Sequence, residues 1–200
     1  MRKSQLLMPI LFLAAGTALR ADVIVQFNAN TSSINGTLGS LDFQFNPGAD
    51  SQAATVGISN FVTDGSFGGT QMDTGGVTGG PITTPIVITN SGLDNEDFET
   101  FRFGNVLKFN VDFGGPAVTA PNGTSLSTSV FAFSMFSDAA GTIPVLTSDP
   151  NGVAASVAVN LDGSLTASVI SSAVSIPEPG YMWIAASGLA VIAAGRRWRG

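Results

Sequence analysis

Val106-Leu107-Lys108-Phe109-Asn110-Val111-Asp112-Phe113-Gly114-Gly115-Pro116 is the stretch from which the fold is read. Leu107, Phe109, Val111 and Phe113 alternate with Lys108, Asn110 and Asp112. A period of two puts the four apolar side chains on one face of a β-strand and the polar ones on the other. Gly114-Gly115-Pro116 stops the strand, since proline has no amide to give to a ladder.

Towards the N-terminus the same grammar repeats. Phe98, Phe101 and Phe103 lie in a segment that breaks strict alternation, which reads as a bulge. Residues 90–95 form a turn and 85–89 a strand. Residues 64–81 are rich in Gly, Thr and Asp, with little apolar besides Phe67, Met72 and Val77, and read as a long exposed loop or a loose hairpin. Ala54, Val56 and Ile58 mark another strand. Leu41, Phe43 and Phe45 alternate with Asp42 and Gln44 in a half-buried strand that Asn46-Pro47-Gly48 ends. Asn35-Gly36 is a hairpin signal, and Val23, Val25 and Phe27 open the series on one face.

Towards the C-terminus, residues 129–136 are apolar on both faces and predict a central strand buried on two sides. Residues 143–147 predict a short strand near an edge because of Pro144. Val153, Ala155, Val157, Val159 and Leu161 alternate, Asp162-Gly163 turns, and residues 165–174 pair back. About ten short strands joined by Gly, Asn, Asp and Pro turns predict an all-β fold, an antiparallel β-sandwich that is jelly-roll-like or immunoglobulin-like. It occupies residues 22–170, with 171–176 as a linker. Phenylalanine supplies nearly all of the aromatic core, and each buried ring stabilises by about 1.5–3 kcal/mol.

Composition narrows the function. The chain has 200 residues and a formal charge of −6, but residues 22–176 hold thirteen acids against Arg102 and Lys108, a charge of −11. Such a surface repels nucleic acid. The chain has no cysteine and therefore no disulfide. It has no histidine either, which removes the commonest general base, the usual zinc ligand and the Ser-His-Asp arrangement. An enzyme is not expected.

The two ends differ from the middle. Met1-Arg2-Lys3 and the apolar run at 6–19 predict a secretory signal peptide over residues 1–21, with cleavage after Ala18 or after Ala21. At the other end, Pro177 and Pro179 fix φ and push their neighbours out of the helical region, so the chain around Glu178 is extended. Residues 181–195 are uncharged and predict a short transmembrane helix of about 22 Å against a hydrocarbon core of about 30 Å. Tyr181, Trp183 and Trp198 flank it, and the basic cluster Arg196, Arg197 and Arg199 marks the cytoplasmic side.

Pro177-Glu178-Pro179, a short membrane helix and a terminal arginine cluster together resemble the PEP-CTERM sorting signal of Gram-negative bacteria. The resemblance spans residues 177–200. It implies that the chain is a substrate of exosortase, a membrane-embedded cysteine transpeptidase. It further implies cleavage near the motif, transient anchoring in the inner membrane, and release to the cell surface or extracellular matrix, in association with exopolysaccharide and biofilm. Residues 41–48, 101–104 and 134–150 are similar to an uncharacterised group of PEP-CTERM ectodomains. The expected partners are exosortase, the secretion machinery, the membrane and exopolysaccharide, and no nucleic acid.

Asp94, Glu96, Asp97 and Glu99 form the densest acidic cluster, on a turn that enters a strand. Hard oxygen ligands on a flexible loop suit Ca²⁺, although the spacing is not that of an EF-hand; a solvated acidic turn is the competing reading. No catalytic residue and no other cofactor is expected. Tyr and Trp are absent between 22 and 176, which weighs against sugar binding and leaves Phe67 as an aromatic platform or, alternatively, a core anchor for its loop. Arg102, between two phenylalanines, is expected to pair with an acid such as Asp112. The expected function is a non-catalytic structural or adhesive role at the surface, with a polysaccharide- or Ca²⁺-binding module as the alternative and a glycoside hydrolase behind both.

Overall fold

The computed structural model describes residues 22–177. The alternating stretch is strand β8 (Val106–Gly114), with Leu107, Phe109, Val111 and Phe113 buried. On one side it pairs with β1 (Val23–Asn30), in which Val25, Phe27 and Ala29 face the same way. On the other it pairs with β3 (Thr55–Thr63). Beyond β3 come β6 (Ile86–Thr89) and β5 (Val77–Gly79), and beyond β1 lies β12 (Val174–Ser175), which completes a six-stranded sheet in the order β12-β1-β8-β3-β6-β5.

The second sheet has the order β11-β10-β9-β2-β7-β4, with β2 (Leu38–Pro47), β4 (Ser66–Thr74), β7 (Glu96–Arg102), β9 (Ser129–Phe136), β10 (Val153–Val159) and β11 (Leu165–Val169). All pairings in both sheets are antiparallel. A one-turn helix, α1 (Pro116–Thr119), follows β8.

The two inner faces meet through phenylalanine, and ring geometry follows position. Cross-strand neighbours within a sheet stack: Phe27 on Phe109 at 5.0 Å and 8°, Phe43 on Phe133 at 5.5 Å and 19°. Rings from opposite sheets meet edge to face: Phe109 with Phe133 at 5.0 Å and 72°, Phe43 with Phe109 at 5.4 Å and 87°. Strand spacing dictates the first arrangement. The second sets the positive ring edge of one layer on the negative face of the other.

Several expectations need correction. Asn35-Gly36 does not close a hairpin but carries the chain from β1 in one sheet to β2 in the other. Asn35 has φ −53° and ψ 134° and Gly36 has φ 85°, the type II geometry. Its twist does not match that of paired strands, unlike the type I′ turn the dipeptide also serves. The Gly36 amide donates to Phe103 O, so the turn is tied to the other sheet's β7 exit.

Residues 64–81 are neither a loop nor a hairpin: they hold β4 and β5, which belong to different sheets. The bulge expected around Phe98–Phe103 is absent from the pairing of β7 with β2, which runs in unbroken register. It lies in the partner strand β4, between Phe67 and Gln71. Burial of β9 on both faces holds only near Phe136, because Val130 is 38% exposed. Residues 143–147 form no strand, only a bridge from Pro144 to Phe136. Residues 171–176 are not a thin linker: Ser171 is buried and β12 pairs Val174 and Ser175 with Ala29 and Asn28.

Among the described residues no helix is long and apolar enough to cross a membrane. The expected signal peptide, Glu178, Pro179, the 181–195 helix and Arg196, Arg197 and Arg199 lie outside the described residues.

Candidate functional site

The four clustered acids are split by the alternation of β7. Asp97 and Glu99 face the space between the sheets, opposite Phe43 and Leu41 of β2, whereas Glu96 faces outward opposite Gln44. They therefore do not form one chelating set, and the expected single Ca²⁺ site is corrected to two separate groups. Nor are they a solvated turn, since Asp97 and Glu99 are both 0% exposed. Among the described residues no three or more acidic side chains are gathered so as to hold a metal ion.

The outer group is Asp42 with Glu96, near the exposed Asp94. The Gln44 amide donates to Asp42 Oδ2 at 2.8 Å and reaches Glu96 Oε1 at 3.5 Å. Burial first, and then the charge of Glu96, push the Asp42 carboxyl up to about 8. These acids border a hollow of about 330 Å³ whose apolar wall is Met72, Phe98 and Phe136.

The inner group is the buried Asp97 and Glu99, with the exposed Asp73 at its edge, and Gln71 bridges Asp97 to Asp73. The Gln71 side-chain nitrogen donates to Asp97 Oδ1 at 2.8 Å, to Asp73 Oδ1 at 3.0 Å and to the Gly79 carbonyl at 3.3 Å. Asp97 Oδ2 and both Glu99 carboxyl oxygens lack a hydrogen bond of good geometry, although the Ile82 amide and the Asp97 carboxyl approach Glu99 and the Asp73 carboxyl approaches Asp97. Burial, reinforced by the charge of Glu99, pushes Asp97 up to about 8, and burial likewise raises Glu99. An unpaired charge in this position is costly, which favours the protonated form of Asp97 at neutral pH. Sealed from solvent, Asp97 and Glu99 cannot reach a substrate in the way a pair of glycosidase carboxyls must.

An uncharged cleft of about 510 Å³ opens beside this group, where β3, β4 and the β5–β6 turn draw apart. Two backbone irregularities shape it. In β3, one extra residue between Ser59 and Val62 places Asn60 at φ 55°, and the bulge turns Phe61 inward onto Phe109. In β4, Gly68, Gly69 and Thr70 are looped out between Phe67 and Gln71. The Thr100 hydroxyl clips that loop by accepting from the Thr70 amide at 3.0 Å.

Phe61 and Phe67 are half-buried, each with one side on the core and each lining the cleft. Phe67 thus combines the two roles the sequence left open, anchor and exposed ring. Ser59, Asn60, Ser66 and Thr83 also line the cleft, and their side chains make no hydrogen bond among the described residues. No lining residue is charged.

Arg102 does not pair with Asp112. Its guanidinium donates to the Gly36 carbonyl at 2.8 Å, and Asp112 lies on β8 of the other sheet beside Asp22. Sequence reasoning missed Asn95, which is fully buried. Its side chain accepts from the Gly76 and Gly92 amides and donates to the Phe45 and Gly92 carbonyls. It missed Gln71 and Asp73 as well. Their two-residue spacing, Gln71-x-Asp73, was the available strand signal within a glycine-rich run. Comparison of the chain with protein-family models, curated proteins and solved structures finds no match.

Proposed function

We propose that this chain is an exported protein, anchored briefly in the inner membrane and then transferred by exosortase to the cell surface or extracellular matrix. Its β-sandwich serves there as a non-catalytic structural or adhesive unit, associated with exopolysaccharide and biofilm. The terminal segments carry the reading: an N-terminal segment like a secretory signal, and Pro177-Glu178-Pro179 followed by an uncharged run and arginines.

The placement of the described ends is in keeping with it. β12 lies against β1 at one edge of the first sheet, and Pro177 is exposed just beyond it. A processing enzyme can therefore reach Pro177 without opening the core. The non-catalytic role rests on the lack of His and Cys, and on the burial of Asp97 and Glu99, the inward-facing pair of acids on β7.

The test is the mass of the released protein together with its absorbance at 280 nm. Tyr181, Trp183 and Trp198 are the chain's Tyr and Trp residues, so cleavage near Pro177 yields a product with almost no absorbance there. Pro177→Ala with Pro179→Ala is expected to leave uncut precursor in the membrane. Release of mature protein of unchanged mass from that double variant would sink the sorting reading.

A further inference from the structure

We infer that the cleft between β3, β4 and the β5–β6 turn is a binding site for a neutral, polyhydroxylated ligand, a short stretch of an uncharged glycan. The inference does not depend on how the chain is exported.

Charge sets the ligand class. The surrounding region carries thirteen acids and two bases, yet the residues lining this cleft include neither. An anion would be repelled by the protein's field. A cation would find no carboxylate among the residues lining the cleft, because Asp97 and Glu99 are buried away from solvent. A neutral ligand meets neither obstacle.

Polar chemistry then narrows it. The Ser59, Ser66 and Thr83 hydroxyls and the Asn60 amide are uncommitted and near the opening, which offers donors and acceptors at several points. A ligand covered with hydroxyl groups can use them all. Phe61 and Phe67 add apolar ring surface whose negative faces accept the C–H side of a sugar ring. The cleft's volume of about 510 Å³ lies within the range of small-molecule sites and holds one or two sugar units.

The backbone is set up for this arrangement. Asn60 adopts a left-handed φ of 55°, uncommon for a residue with a side chain. The bulge carrying it brings both the free amide and the Phe61 ring to the cleft. Tyr and Trp are lacking, so binding per site is weak, with a dissociation constant of about a millimolar.

The test is saturation-transfer NMR on the full chain in a detergent without a sugar head group. The probes are cello-, malto-, xylo- and laminarihexaose, with an oligogalacturonate as the anionic comparison. At least one neutral hexasaccharide is expected to bind and the oligogalacturonate to give no transfer. Asn60→Gly keeps the left-handed backbone while deleting the amide, and Thr83→Val removes a hydroxyl at the exposed rim while keeping the side chain's shape. Each is expected to weaken binding about tenfold while leaving the melting temperature within a few degrees. Absence of binding by all four neutral probes would overturn the site. So would binding that survives both substitutions, or oligogalacturonate binding as strong as that of the neutral probes.

Discussion

The space between the two sheets has two unlike halves. Around β1, β8, β9 and β2 the inward positions are phenylalanines that stack within a sheet and cross edge to face between sheets. Around β7, β4 and the β5–β6 turn, inward positions hold the buried Asp97 and Glu99, with half-buried Gln71 and exposed Asp73 at their edge, next to an uncharged cleft. One alternation rule built both. In the first half the inward-facing side chains are mostly apolar and stabilise by leaving water. In the second, burial works against the charged forms of Asp97 and Glu99, so stability there depends on protons.

The largest effect expected from breaking this contrast is in the aromatic half. Phe109 is 1% exposed and touches Phe27, Phe43, Phe61 and Phe133. Phe109→Ala is expected to cost about 3–5 kcal/mol in urea unfolding, a large share of the stability of a disulfide-free domain. A loss below about 1 kcal/mol would show that the rings are not the main support.

The carboxyl half should answer to pH. Asp97 in this half, like Asp42 in the outer group, has a folded-state value raised from 3.8 to about 8. Between those limits the native state binds more protons than the unfolded one. Their contribution is therefore whole below about pH 4 and lost as pH rises through about 8, so stability falls on going alkaline. Asp97→Asn is expected to raise stability at about pH 9 by about 1–3 kcal/mol and to flatten the alkaline decline. A melting temperature that rises from pH 5 to pH 9 in the parent protein, by contrast with the few degrees of decline expected, would refute proton retention in this half.

The smallest effect lies on the rim that joins the halves. Arg102 is exposed and holds one backbone carbonyl, so Arg102→Gln is expected to change stability by less than about 0.5 kcal/mol by thermal melting. A larger loss would mean that the Gly36 crossover depends on that contact.

Much of the fold was legible because strand alternation is local. Leu107–Phe113, Leu41–Phe45 and Val153–Val159 each announce a face by a period of two, and each is a strand with that face buried. The sites were less legible. Asp94, Glu96, Asp97 and Glu99 are adjacent in sequence, yet successive residues of a strand point to opposite sides, so neighbours in the chain are not neighbours in space. The cleft was not visible at all, because its walls come from β3, β4 and the β5–β6 turn and its shape from two bulges.

By itself, then, the amino-acid sequence determined the all-β class, the phenylalanine core and the acidic charge, since each depends on composition or on spacing of a few residues. Only the tertiary structure decided which sheet each strand joined, that Asn35-Gly36 is a crossover, and that acids rather than apolar side chains fill one flank. Those outcomes are set by long-range pairing. Whether β1 lies beside β2 or beside β8 is a competition among distant partners for the same ladder and the same buried face, and no local turn preference of about 1 kcal/mol is large enough to settle it.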